Sequence, residues 1–115
     1  GLTGDVGHLL ERSSVGAVVD LAAVPRSGAL DRKLAGAERA LALACLLAGG
    51  DDYELVFAAP AALRDRVGAA GRGAGVAVAR IGRIVAGSGL VVNDERGEPL
   101  ATLPRAFDHF VAGPR

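Results

Sequence analysis

The sequence predicts an α+β domain built on a single mixed β-sheet packed with helices. Three observations point there. Segments of helical period alternate with short β-branched runs, the order is not a regular series of strand, helix and strand, and 115 residues is the size of one domain. Of the 58 hydrophobic residues 23 are alanine, which leaves 35 larger apolar side chains to fill a core. A chain of this length buries roughly two thirds of its unfolded surface, so the core is feasible but thin.

The elements follow in order. Residues 4–14 place Val6, Leu9 and Leu10 at helical spacing, and Asp5 stands near the start, where the positive helix end favours an acid. Residues 16–21 carry Val18, Val19 and Leu21 in a short β-favouring run before Pro25, which predicts a strand. One or two helical turns are expected over 28–35. Residues 37–48 are nearly all good helix formers, and their apolar positions run most of the way round the cylinder. This helix is expected to be the buried one, with Cys45 packed inside it. Gly49 and Gly50 offer the positive-φ residues that commonly end a helix.

Residues 53–58 are aromatic and aliphatic and are stopped by Pro60, so a central strand is expected there. Residues 60–70 read as a helix opened by proline, with Leu63 and Val67 at i and i+4, and Gly71-Arg-Gly-Ala-Gly75 is expected to end it. Residues 76–85 read as a strand bending near Gly82, Gly87-Ser88-Gly89 as a hairpin turn, 90–92 as a strand, and 93–97 as a polar turn leading to an irregular tail.

Composition removes several function classes. Charge is balanced, 13 Lys and Arg against 13 Asp and Glu, so there is no general basic excess to displace counterions and no nucleic-acid partner is expected. Residues 61–90 do carry Arg64, Arg66, Arg72, Arg80 and Arg83 against Asp65, a set that reads as a solvated face. No apolar run reaches the ~18 residues that cross a bilayer, and the start lacks a signal-peptide pattern. Cys45 is the single cysteine and has no internal disulfide partner. Together these predict a cytoplasmic protein with no membrane partner. The glycines at 71, 73 and 75 lack the dinucleotide-binding spacing and precede a strand instead of a helix, and Gly82 and Gly87 are followed by no lysine. His8 and His109 have no companions at metal-ligand spacing.

Two constellations remain. In Gly49-Gly-Asp-Asp-Tyr-Glu-Leu55 three carboxylates fall within four residues at a helix–strand junction. Strand alternation would turn Asp52 and Glu54 to one face and Asp51 and Tyr53 to the other. Such acids can hold a cation, neutralise a cationic ligand or accept from an amino group; they equally suit a glycine helix stop followed by a solvated strand end. The tail Arg105-Ala-Phe107-Asp-His-Phe110 holds two of the four aromatic residues. An exposed ring there can stack on a flat heterocycle, or the pair can plug the core.

Taken together, the pieces resemble the C-terminal half of the thiamine-monophosphate kinase family, in the superfamily that includes aminoimidazole ribonucleotide synthetase. Gly1-Leu-Thr-Gly-Asp5-Val-Gly-His8 is similar to the segment after that family's Asp-x-Ser-Asp motif. Gly49-Gly-Asp-Asp-Tyr-Glu-Leu55 matches its Gly-Gly-(Asp/Glu)-Asp-Tyr-Glu-Leu signature. Ile81-Gly-Arg-Ile84 through Gly89-Leu90 resembles its Ile-Gly strand and hairpin, and Ala106-Phe-Asp-His-Phe110 its closing Gly-(Phe/Tyr)-Asp-His-Phe, with Ala106 departing from the usual glycine.

The resemblance implies one domain over residues 1–115, the substrate-side part of a longer kinase that phosphorylates thiamine monophosphate with ATP and Mg2+. It is consistent with the lack of methionine, since the parent would extend upstream of Gly1. The resemblance places the ATP- and magnesium-holding acids in that missing N-terminal domain. It therefore assigns no catalytic residue and no metal ligand to this chain. It assigns Asp51 and Phe107 to thiamine monophosphate, and a fragment alone is expected to be inactive. The partners implied are thiamine monophosphate and the N-terminal domain of the same protein, and balanced charge with a thin core makes a homodimer plausible. Two other classes stay open: a non-catalytic binding or dimerisation domain, and a diguanylate-cyclase-like enzyme, whose Gly-Gly-Asp-Glu-Phe hairpin is close to Gly49-Gly-Asp-Asp-Tyr53.

Overall fold

The computed structural model describes residues 1–49 and 55–103. Its elements are α1 (Leu2–Ser13), β1 (Gly16–Asp20), a 3-10 turn (Leu21–Ala23), α2 (Gly28–Leu34), α3 (Arg39–Ala48), a second 3-10 turn (Ala61–Leu63), α4 (Arg64–Ala74), β2 (Gly82–Val85) and β3 (Gly89–Asn93). The described strands form one mixed sheet in the order β2-β1-β3. β1 runs antiparallel to β2, with Gly16 opposite Val85, and parallel to β3, with Gly16 opposite Gly89. The expected single mixed sheet with helices is the architecture observed.

Pleat and helix period explain which residues fill the core. Ala17 and Val19 alternate to one face of β1 and are buried there. α1 places Val6 and Leu10 against Ala17, with Leu2, Val15, Val56 and Leu90 around them. α3 buries Leu47 in a second cluster with Val19, Leu21, Val24 and Val92. Leu2 and Leu90 border both clusters and join them. α1 ends at Ser14, whose left-handed backbone (φ 55) lets its amide return to the Leu10 carbonyl. α2 begins at Ser27, whose hydroxyl accepts from the Leu30 amide at 3.1 Å.

Several expected elements take a different form. The described part of the 53–58 run is not a laddered strand. Both edges of β1 are occupied by β2 and β3, so the central place is already filled. The run keeps the strand alternation all the same: Val56 packs inward on the α1 cluster, while Leu55 and Phe57 stand 93% and 57% exposed. α4 does not stop at Gly71 but continues to Ala74 and ends at Gly75 (φ 71). Gly71 is its buried position, and Val78 occupies the space a side chain would take. Residues 76–80 are thereby drawn back along α4, and the strand is confined to β2.

The expected hairpin is split, because β1 lies between β2 and β3. The chain instead turns back after β3: Asp94 Oδ1 accepts from the amides of Arg96 (2.8 Å) and Glu98 (3.0 Å), and Asn93 bridges Pro99. α3 is buried only on its Ala42 and Leu47 side, and Leu41 and Cys45, four residues apart, are exposed on another face. Uniform hydrophobicity concealed that division.

Polar ties fasten the turns that follow β1 and β3. Arg26, only 9% exposed at its side chain, donates Nε to the Val24 carbonyl at 3.0 Å and Nη2 to the Leu21 carbonyl, holding the first 3-10 turn. Arg39, at the start of α3, donates Nη1 to the Leu34 carbonyl and forms a two-pronged bond to Glu95, both prongs 2.9 Å. That pairing joins the α2–α3 junction to the turn after β3.

Two outcomes are expected. Leu47→Ala, at a fully buried site, should lower stability by roughly 2–5 kcal/mol in denaturant titration. The Arg39 hydrogen bond holds the Glu95 carboxyl down from 4.5 to about 2. A depressed carboxylate stabilises the fold in full above its ordinary value and loses that contribution as pH falls toward its folded value. Both side chains are more than a third exposed, which limits the pair to at most about 1 kcal/mol. The melting-temperature gap between the native chain and Glu95→Gln should therefore be small but present at pH 7, and should vanish as pH approaches 2.

Candidate functional site

Asp51 and Phe107 lie outside the described residues, as do Asp52, Tyr53, Glu54, His109 and Phe110. The structure describes what flanks the acidic run on either side, and both flanks rest on α1. Upstream, the Thr3 hydroxyl donates to the Leu47 carbonyl at 3.1 Å, tying the first turn of α1 to the last turn of α3. Beside that bond Gly1 meets the end of α3 so closely that a Cβ on it would lie 2.7 Å from the Ala48 carbonyl carbon and from the Gly49 oxygen. Downstream, Val56 packs against the Val6, Leu10 and Ala17 cluster, farther along the same helix.

Gly49 has φ −62 and ψ 142, an ordinary extended conformation. Its need for glycine is therefore steric and not conformational: a Cβ there would run into the Cys45 carbonyl oxygen. The expectation of a positive φ at Gly49 is corrected on that ground.

The electrostatics of this junction are specific. Three acids follow a helix C-terminus, the end whose partial negative charge disfavours them. The N-terminal, positive end of α1 abuts the end of that helix at Ala48 and Gly49. Sequence reading did not find the Thr3–Leu47 bond, because its partners are 44 residues apart and no local pattern encodes it.

The remaining candidates do not join this junction into a metal centre. Among the described residues, no group of three or more His, Cys, Asp or Glu side chains comes together as a cation would require. His8 and Cys45 stand at exposed positions on α1 and α3. Arg64, Arg66, Arg72, Arg80 and Arg83 are all exposed, on α4, after it and on β2. No described helix is long and apolar enough to cross a membrane.

The family profile described as "AIR synthase related protein, C-terminal domain" matches residues 1–95. The chain belongs to that family. Among its relatives, the thiamine-monophosphate kinase of Escherichia coli K12 is 37% identical over 110 residues, covering 96% of this chain and 33% of the relative. That of Haemophilus influenzae is 36% identical over 115 residues, covering 96% of this chain and 34% of the relative. The crystal structure of thiamine-monophosphate kinase from Stenotrophomonas maltophilia K279a superposes with a TM-score of 0.71 at 44% identity, over 87% of this chain and 30% of that one. The chain thus spans about a third of the length of the relatives it matches.

Gly49→Ala should lower stability by roughly 1–3 kcal/mol, the usual cost of forcing an atom into a filled position. Denaturant titration checks it; a midpoint unchanged from the native chain would mean that α3 ends more loosely than the structure shows.

Proposed function

We propose that this chain is the substrate-side, C-terminal domain of an ATP-dependent kinase that converts thiamine monophosphate to thiamine diphosphate. What carries this reading is the agreement, along nearly the whole chain, with relatives named for that activity. Asp51 and Phe107 hold the acceptor. Thiamine monophosphate carries a cationic thiazolium and an aminopyrimidine, which suit a carboxylate and an aromatic face. The anchored flanks of the acidic run supply the fixed frame such a contact needs, since phosphoryl transfer relies chiefly on positioning and electrostatics.

ATP and Mg2+ belong to this reading through the remainder of the kinase. When bound, magnesium would neutralise charge on the transferring phosphoryl group; the described residues of this chain do not form a site for it. In this reading residues 1–115 are one domain, its partners are thiamine monophosphate and the N-terminal domain of the same protein, the enzyme is a homodimer, and its place is the cytoplasm.

The diguanylate-cyclase-like alternative loses ground because α3, a helix, leads into Gly49 where a hairpin would need a strand. A packing module without ligand of its own keeps one supporting observation: Leu41, Leu55, Phe57 and Val76 are all more than half exposed. Such residues would also be presented by a domain that packs against the rest of a kinase.

In the full-length polypeptide that carries this sequence, Asp51→Ala and Phe107→Ala should each raise the KM for thiamine monophosphate while leaving the KM for ATP within about twofold, a loss of ground-state contacts to one substrate only. Unchanged KM values for thiamine monophosphate in both variants would contradict the assignment. Residues 1–115 alone should give no ADP release dependent on thiamine monophosphate, and robust turnover by them would overturn the division of labour.

A further inference from the structure

We propose that residues 55–80, α4 with the extended segments on either side of it, form the face by which this domain docks onto the rest of a longer polypeptide, against a surface both apolar and acidic. The inference rests on the reading of this chain as one domain of a longer protein, and not on which reaction that protein performs. Among the described residues, α1, α2 and α3 each bury at least one leucine, Leu10, Leu34 and Leu47. α4 buries Gly71 alone, and Val78 from the segment that follows it lies against that glycine. α4 also carries Gly68, Gly71 and Gly73, each of which costs a helix about 1 kcal/mol against alanine. Weak propensity and little packing leave it the least supported of the described helices. Residues 55–80 also concentrate uncovered apolar side chains: Leu55, Phe57 and Val76 are more than half exposed, and Leu63 and Val78 more than a third.

Two observations name the occupant. The first is charge. Residues 55–80 hold Arg64, Arg66, Arg72 and Arg80 against the single acid Asp65, and among the described residues none of the four arginines forms an ion pair. A second copy docking through the same face would set this positive charge against itself, which opposes association, whereas an acidic surface complements it. The second is length. The chain matches thiamine-monophosphate kinases along 96% of itself but only about a third of their length, so most of those polypeptides lies beyond the match. A covalently joined partner is held at high local concentration. Interfaces between domains of one chain are modest and comparatively polar, which suits a face of mixed leucine, valine and arginine.

Hydrogen exchange is followed by mass spectrometry in residues 1–115 and in the full-length polypeptide that carries them, each at two protein concentrations, with ADP release dependent on thiamine monophosphate measured alongside. The amides of 64–74 and 76–80 should be about tenfold more protected in the full-length polypeptide, as a fraying element becomes a supported one. Arg64→Glu with Arg66→Glu, made in the full-length polypeptide, should remove most of that gain and leave the amides of α1 unchanged. Acids in the first turn of α4 favour the helix itself, so the loss reports docking and not helix propensity. Equal protection in the two forms would overturn the proposal. So would protection in residues 1–115 that rises with concentration to the full-length level, which makes a second copy the occupant. Undiminished protection in the double variant would overturn the acidic surface. If the gain in protection is found and ADP release is not, the docking face stands and the kinase reading fails.

Discussion

The domain depends on the position of β1, a five-residue strand hydrogen-bonded along both edges, antiparallel to β2 and parallel to β3. With both edges occupied, β1 can be covered by helices only on its faces, and Ala17 and Val19, buried on one of them, mark which face that is. α1 and α3 then meet over it, and the start of α1 bears on the end of α3. Leu2 borders both hydrophobic clusters, so the start of α1 is seated before any polar contact is counted. The Thr3–Leu47 bond and the bare contact of Gly1 with the end of α3 follow from that seating.

In sequence, the acidic run follows the C-terminal, negative end of α3. The positive end of α1 is brought to the last residues before that run, Ala48 and Gly49. In the Arg39–Glu95 pairing a carboxylate is held by a two-pronged arginine and fastens the turn after β3 to the α2–α3 junction.

Much of the fold was legible in the sequence, since it depends on local period. α1, β1, α2, α3 and β3 fall within a few residues of where spacing and glycine punctuation put them. The misreadings share one cause, which is that strand partners and helix faces are settled by tertiary contacts. The 53–58 run has strand alternation at Leu55, Val56 and Phe57, but alternation does not say whether a neighbouring edge is free. The Gly71–Gly75 stretch does end α4, at Gly75, but the helix runs four residues past the expected Ala70, and Val78 packs where a Cβ on Gly71 would lie, a contact no local pattern encodes. Cys45 looked buried because every neighbour on α3 is apolar, and only the packing of Ala42 and Leu47 reveals which side faces in. Of the candidate site, the motif from Gly49 to Leu55 was plain in the sequence. The helix-to-helix abutment that anchors it was not, because it joins residues 1–3 to 47–49.

The most direct measurement is a crystal structure of the full-length polypeptide carrying this sequence with thiamine monophosphate bound. The expected result has the ligand's cationic ring system within contact of the Asp51 carboxylate and the Phe107 ring. A ligand lodged away from both residues, or a saturating soak that leaves this junction empty while the enzyme turns over, would contradict the central claim.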